Sequence, residues 1–347
     1  VKGIGMTWHR IVIDEFGPPE VMQLRAAEEL PEPQAGEVRV RVLAAGTGST
    51  DTLVRRGQYP GVKGHLPLTP GYDWVGVVDA LGPGIDGFVV GDRVADLSVT
   101  GGYTQRLCVP ATRLVLVPAG LDPAEAVCML LPYCTALQML TRLRPLAAGA
   151  TCLVHAGGGA VGTALLDLGR HLGLRMIATG SSRKTALMRS YGALTIDYRT
   201  EDVVAQTLAL APGGVDAVFD TLGGASWARS RRCLTRGGLL VGYGALDLAR
   251  GRESVAGLVW GFTKLLALWP LLPDGRAYRF YNIERRRRAR PQEFSDDVAR
   301  LFGCLAQGAL QPAIAARLPL AAAQEAHRRI EADEPLGRIV LDCSSAA

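Results

Sequence analysis

Three glycines at G-x-G-x-x-G spacing, Gly157, Gly159 and Gly162, stand in "LVHAGGGAVGTALLDLG" (153–169). The apolar run "TCLVH" (151–155) precedes them, and Val161, Ala164, Leu165, Leu168 and Leu172 follow at helical spacing. Between a strand and a helix such glycines permit a tight turn, let a pyrophosphate approach the backbone and let the helix pack closely on the strand. The amides that open the helix, around Gly159, Ala160, Val161 and Gly162, then face the phosphates, and the helix dipole adds to the attraction. A dinucleotide site is the reading; a glycine turn without a ligand is the plain alternative.

A second group lies about 20 residues on, where an NAD site places an Asp or Glu for the ribose hydroxyls. Here the next strand ends "IATGSSRK". Thr179 and Gly180 occupy the acidic position, followed by Ser181, Ser182, Arg183 and Lys184. A carboxylate would repel a 2′-phosphate, whereas hydroxyls and cations offer it charge-assisted hydrogen bonds. NADPH rather than NADH is therefore the expected cofactor. Ser182 also reads as the N-cap of the following helix, a role compatible with phosphate binding.

These residues need a scaffold. The chain has 347 residues, 48% of them hydrophobic and 20% charged, enough for two domains with packed cores. Its first 120 residues read as β-rich. "EVRVRVLAA" (37–45) alternates Val38, Val40 and Val42 with Arg39 and Arg41, and "DWVGVVDALGPG" and "FVVGDRVADL" are short apolar runs punctuated by Gly and Pro. From residue 121 the rhythm changes. "DPAEAVCMLLPYCTALQMLTRL" opens a helix with Asp122 as N-cap and Pro123 at its first position. Strands at "TCLVH", "LRMIAT" (174–179), "VDAVFD" (215–220) and "GLLVGYG" (238–244) then alternate with helices, one of them "RKTALMRSYGA". That alternation implies a doubly wound parallel sheet. An amphipathic helix, "FSDDVARLFGCLAQGAL", and a strand, "GRIVLD", follow.

Other features set bounds. A net charge of +5 does not concentrate the basic face expected for nucleic acid. Seven cysteines without a CxxC pair suit a reduced, cytoplasmic chain. "VKGIGMTWHR" lacks the apolar core of a signal peptide. The longest apolar run, "VAGLVWGFTKLLALWPLL" (255–272), carries Lys264 in its middle and reads as a buried or lid helix rather than a membrane span. His9, His65, His155, His171 and His327 have no metal-ligand spacing, and His155, ending the first strand of the sheet, reads as structural. "ERRRRAR" (284–290) reads as a solvated face, or a patch for an acidic partner.

In order and spacing, "GTGSTDTLVRRGQYPG", "LPLTPGYDWVGVVDALG", "VVGDRVADL", "GGYTQRLCVP", "LVHAGGGAVG", "GALTIDYRTED", "VDAVFDTLGG" and "LGRIVLD" cover nearly the whole chain. Together they resemble the medium-chain dehydrogenase/reductase superfamily, in its zinc-free quinone oxidoreductase (zeta-crystallin-like) branch. The resemblance implies an α/β chain. A GroES-like β-barrel catalytic domain (1–125) is interrupted by a Rossmann NADPH-binding domain (126–290) with a helical insertion near 245–275, and is completed by residues 291–347. A homodimer is also implied, through an edge strand such as "AYRFYNI".

Zinc-dependent members carry a cysteine near "GVCHTD" and a histidine near "GHE". The matching stretches are "GTGSTD" (46–51) and "GYD" (71–73), with Gly48 at the cysteine and Tyr72 at the histidine. A catalytic zinc needs three His, Cys or carboxylate ligands, so no metal is expected here. Zinc-free relatives reduce quinones or carbon–carbon double bonds conjugated to a carbonyl. Hydride reaches the β-carbon, hydrogen-bond donors stabilise the enolate, and a side chain or water supplies the proton. The expected activity is thus NADPH-dependent reduction of a small-molecule quinone or enone. The alternatives are an enoyl-thioester or biosynthetic enone reductase with a larger substrate, and an NADPH-binding regulatory protein with little catalysis.

The resemblance also implies site residues. Tyr59 matches a tyrosine that donates a proton or positions substrate, and Thr135 a threonine near the nicotinamide; the two form the implied catalytic pair. Lys184 and Tyr198 match positions near the adenosine 2′-phosphate, alongside Ser181 and Ser182. Gly242, Tyr243 and Gly244 match a loop bordering the nicotinamide. Gly48, Asp51, Tyr59 and Tyr72 would line the substrate pocket, with Asp51 ordering its loop. Quinone oxidoreductases commonly carry Asn where Gly48 stands, so a donor is lost and the pocket gains room.

Overall fold

The computed structural model describes residues 7–59, 62 and 66–344. The start of the chain, Pro60 beside Tyr59, and His65 lie outside the described residues. Two compact units emerge: Val1–Leu131, Ser295–Gly308 and Ile314–Ala347 in the first, Pro132–Phe294 and Ala309–Ala313 in the second.

The elements up to residue 131 are β1 (Trp8–Val12), β2 (Gln23–Ala27), β3 (Glu37–Gly46), α1 (Ser49–Arg55), β4 (Asp73–Leu81), β5 (Arg93–Leu97), β6 (Arg106–Pro110), β7 (Val115–Leu116) and α2 (Pro123–Cys128). Then come α3 (Cys134–Thr141), β8 (Thr151–Val154), α4 (Ala160–His171), β9 (Arg175–Gly180), α5 (Thr185–Ser190), β10 (Leu194–Asp197), α6 (Val203–Leu210) and β11 (Val215–Asp220). They are followed by α7 (Gly224–Arg232), β12 (Leu234–Gly242), α8 (Leu246–Ala249), α9 (Val255–Thr263), β13 (Ala277–Phe280) and α10 (Ile283–Ala289). The remainder holds α11 (Pro291–Ala306), β14 (Ile314–Pro319), α12 (Ala323–Glu331) and β15 (Arg338–Asp342).

In the first unit a seven-stranded sheet runs β14-β15-β3-β4-β5-β7, with β6 pairing the free stretch of β3. Every pairing is antiparallel except β14 with β15. The alternation in β3 buries Val38, Val40 and Val42 while Arg39 and Arg41 stay half-buried, as a sheet with one face on a core requires. Trp74, Ile339 and Leu341 fill the same core. Asp122 caps α2 as its sequence predicts, accepting the amides of Ala124 and Glu125 at 3.0 Å. Pro132 then lies inside a π-helical turn, Met129–Tyr133, before α3 begins.

The second unit is a six-stranded parallel sheet ordered β10-β9-β8-β11-β12-β13. Counted from β8, that is the 3-2-1-4-5-6 order of a doubly wound dinucleotide-binding sheet, with its switch point between β8 and β11.

Several elements differ from the sequence expectation. Val161 and Leu172 are only half-buried, whereas Leu166 and Asp167 are enclosed. The Asp167 carboxylate is held by Tyr133 Oη at 2.7 Å, the Gln311 amide at 2.6 Å and Arg170 at 2.7 Å, so α4 is covered well beyond one apolar stripe. Phe88–Val90 is a turn rather than strand: Asp92 accepts the Val89 amide at 2.8 Å, and Val89 is 63% exposed. Strand β12 begins at Leu234, four residues earlier than the sequence expectation, and ends at Gly242. Ser182 is not an N-cap; it is the first residue of a 3-10 turn, and the helix proper starts at Thr185. The 255–272 run is not buried. Its helical turns embed Gly261, Leu265 and Trp269 but expose Val255, Val259, Trp260, Leu266, Leu268, Leu271 and Leu272. One described helical run, Pro123–Thr141, is long and apolar enough to cross a bilayer, and it is mostly buried within the fold.

Candidate functional site

In the first unit, the short helix α1 carries Asp51 and leads to Tyr59. Gly57 ends the helix at φ +65°, where an added Cβ would meet the Phe16 ring, and the Tyr59 amide returns to Leu53 O at 3.2 Å. Tyr72 arrives from the other side, just before β4. It follows Gly71, whose φ of +110° sets it against the Tyr103 backbone. The two phenol oxygens are 2.8 Å apart, either able to donate, and the rings meet edge to face at 5.8 Å. Tyr72 is buried and Tyr59 half-buried.

Beneath the pair lies Asp51. Its Oδ1 accepts the Tyr72 amide at 2.9 Å, and the side chain is fully enclosed. Burial, followed by the nearby Asp73 charge, pushes its carboxyl up to about 8 against the pull of Arg338, so at neutral pH it holds a proton. Arg338 itself is committed to Asp73, with Nη1 2.8 Å from Oδ2, and to Val127 O at 3.0 Å. Gly48 caps α1, and a Cβ there would stand 3.8 Å from Asp51 Oδ2 without collision. Gly48 therefore leaves room for a side chain beside Asp51. Gly48, Asp51, Tyr59 and Tyr72 form one cluster. Among the described residues no group of three or more His, Cys, Asp or Glu side chains is arranged to hold a metal ion.

In the second unit, the glycine loop joins β8 to α4. A Cβ on Gly157 would lie 2.7 Å from Ala178 Cβ, and one on Gly162 would lie 2.7 Å from Gly157 Cα. Packing alone explains both. Gly159 differs: its Cβ would meet only Ala156 O, at 3.4 Å. Nothing in the protein requires a glycine there, whereas a phosphate seated on the Ala160 and Val161 amides would. The loop fits a dinucleotide.

At the end of β9, Ser181 and Lys184 are buried and Ser182 is exposed. The Lys184 stem covers Gly158, where an added Cβ would fall 2.7 Å from its Cδ. Tyr198 is half-buried beside them, its amide 3.3 Å from Gly180 O and its ring under Arg199. Between them stands Asp197, which sequence reasoning missed; its Oδ2 accepts the Ser182 amide at 2.9 Å and its Oδ1 the Arg199 amide at 3.0 Å. The "IDY" motif contained that acid in plain view, but its partner is fifteen residues away.

Thr135 is the second residue of α3 and is buried. Gly242 ends β12, where the Trp227 ring would meet an added Cβ at 2.9 Å. The Tyr243 amide donates to Asp220 O at 3.1 Å, and burial, then the Asp220 charge, raises its phenol pKa. Gly244 sits against Thr221.

Comparison with known proteins follows the same division. Residues 34–119 match the model of the alcohol dehydrogenase GroES-like domain, and residues 191–341 that of a zinc-binding dehydrogenase. A quinone oxidoreductase of Pseudomonas aeruginosa is 33% identical over 336 residues, covering 96% of this chain and 98% of that protein. The phthioceranic/hydroxyphthioceranic acid synthase of Mycobacterium tuberculosis is 30% identical over 337 residues, 96% of this chain but 15% of the synthase. Among solved structures, Escherichia coli quinone oxidoreductase complexed with NADPH superimposes with a TM-score of 0.84 at 28% identity, covering 97% of this chain and all of that one.

Proposed function

Because the chain belongs to the zinc-free quinone oxidoreductase branch of the medium-chain dehydrogenase/reductase superfamily, we propose that it reduces a quinone or an α,β-unsaturated carbonyl with NADPH. It is an NADPH-dependent oxidoreductase with a GroES-like unit and a Rossmann-type parallel sheet. NADPH, when bound, supplies the hydride. The glycine loop would hold its pyrophosphate, Ser181, Ser182, Lys184 and Tyr198 its adenosine end, and Thr135 with Gly242, Tyr243 and Gly244 its nicotinamide end.

The observation that carries the substrate class is the Tyr59–Tyr72 hydroxyl pair, in which Tyr72 takes the position that the family resemblance gives to a histidine in zinc-dependent members. We assign the half-buried Tyr59 hydroxyl of this pair to the substrate, as donor to an oxygen gaining negative charge and as the proton source for the reduced product. Conjugated acceptors suit such a donor because their charge is delocalised, whereas an isolated carbonyl more often needs a Lewis acid. Neutral Asp51 would hold the Tyr72 backbone without adding a charge that opposes the developing enolate.

NADPH oxidation measured against a panel of quinones, enones and enoyl thioesters tests this. Turnover of quinones or free enones supports it, and turnover confined to thioesters replaces it by a second reading. That reading, an enoyl-thioester reductase, is favoured by the likeness to a segment of the phthioceranic/hydroxyphthioceranic acid synthase. We further assign a homodimer in the cytoplasm. The dimer would form through the outer edge of β13, the last strand of its sheet, and the compartment suits seven cysteines outside any disulfide. Light scattering in solution checks the mass.

A further inference from the structure

His155 lies between β8 and the glycine loop, enclosed by the ends of the neighbouring strands. Its Nε2 is 2.9 Å from Ser230 Oγ, and Ser230 Oγ donates to Asp220 Oδ2 at 2.6 Å. A serine hydroxyl has one hydrogen, and here the carboxylate takes it. The imidazole must therefore donate from Nε2. Nδ1 of the neutral ring then accepts the Thr179 hydroxyl, 3.3 Å away. Burial depresses the imidazole pKa and Arg229 adds to the effect, outweighing Asp220 and Asp247, so the ring stays neutral. Every hydrogen in the chain Thr179–His155–Ser230–Asp220 points one way, towards a carboxylate that also receives Ser226 Oγ at 2.7 Å and the Leu222 amide at 2.8 Å.

The backbone at these residues belongs to the same assembly. The His155 amide donates to Phe219 O at 3.0 Å, the Gly157 amide to Thr179 O at 2.8 Å and the Tyr243 amide to Asp220 O at 3.1 Å. One imidazole thus sits among the C-terminal ends of β8, β9, β11 and β12, where an open α/β sheet binds its ligand. The next residue, Ala156, has φ +54°, a left-handed conformation that a residue with a Cβ holds only when its surroundings over-determine it.

We propose that His155, fixed as the Nε2–H tautomer, is a positioning residue for the cofactor. It locks the strained start of the pyrophosphate loop to the ends of the adjacent strands, and so governs NADPH affinity rather than the chemical step. The proposal rests on the NADPH reading above. It assigns the strain at Ala156 a purpose: the loop amides converge on the phosphates only while the imidazole chain holds that residue left-handed.

The test is direct NADPH binding, read by cofactor fluorescence without substrate, on His155→Leu, on Ser230→Ala and on His155→Leu/Ala156→Gly. Loss of the lock should raise the Kd in His155→Leu by about ten-fold, near 1.4 kcal/mol. Ser230→Ala should raise it less, and kcat at saturating NADPH should stay within about two-fold of wild type for both. Glycine holds a left-handed φ unaided, so Ala156→Gly should restore most of the affinity lost in His155→Leu. Imidazole ¹⁵N shifts of the cofactor-free protein should report the Nε2–H tautomer. Wild-type Kd values in both single variants, a fall in kcat with Kd unchanged, no rescue by glycine, or an Nδ1–H tautomer would each overturn the proposal. Wild-type protein that binds no NADPH would instead overturn the cofactor reading on which it rests.

Discussion

The hydroxyl of Tyr59 and that of Tyr72 are hydrogen-bonded at 2.8 Å with their rings 84° apart, although one follows a helix and the other precedes a strand. The amide of the same Tyr72 is held by Asp51. In the function proposed above, proton donation, substrate placement and loop order would converge on these three side chains of the first unit.

If the pair donates as a unit, Tyr59→Phe and Tyr72→Phe should each lower kcat by about 10²-fold, the lower end for general acid catalysis. The double variant should be little worse than the poorer single one, because residues acting together are not additive. Steady-state kinetics at saturating NADPH decides this. A Tyr59→Phe enzyme with near-wild-type kcat would assign the proton to water.

Asp51 makes stability depend on pH in the direction opposite to an ordinary ion-paired carboxylate. Its folded-state pKa, about 8, lies above the unfolded value near 3.8, so the folded chain binds the extra proton between them. That contribution is complete below the lower value and is lost as pH rises through the upper one. Melting temperature should fall from pH 6 to pH 9, and Asp51→Asn, which cannot ionise, should flatten the decline. An equally steep decline in the variant would show that another group titrates.

Removal of the Lys184 charge should weaken NADPH more than NADH. The expected change is a fall of about 10-fold or more in the ratio of kcat/KM values for the two cofactors, the scale of one charge-assisted phosphate contact. Equal losses for both would assign Lys184 to loop packing over Gly158 instead.

The glycines divide by purpose. Gly162→Ala would drive a methyl into the Gly157 backbone, so it should lower the melting temperature of the cofactor-free protein. Gly159→Ala would touch only Ala156 O, at 3.4 Å, so the cofactor-free protein should melt near the wild-type temperature while NADPH binding weakens sharply. Thermal melts with and without NADPH separate the two effects.

Local pattern revealed what local physics governs. The Val38–Val40–Val42 alternation, the Asp122–Pro123 helix start and the strand–glycine–helix succession each lie within about a turn of chain, and each took the expected form. What depended on distant partners was hidden. Asp167 is buried because Tyr133 and Gln311 reach it, a fact no helical periodicity contains. Residues 255–272 declare themselves apolar, but only the packed fold reveals which side chains remain exposed. The Thr179–His155–Ser230–Asp220 chain draws on three strand ends and a helix, and its composition alone resembles any scatter of polar residues. Ser182 satisfied the residue preference for a helix cap, yet its amide was claimed by Asp197 from the next strand.

Arg338 meets Asp73 across 265 residues of sequence, and β15, which carries it, pairs with β3 near the other end of the chain. During synthesis this orders events. The stretch 132–294, which holds all six parallel strands, leaves the ribosome while the antiparallel sheet still lacks β15 and the Asp73 carboxylate still lacks its cation. The nascent chain must keep that half-built sheet soluble until its last strand emerges, and a nonsense mutation upstream of Arg338 would leave it permanently unfinished.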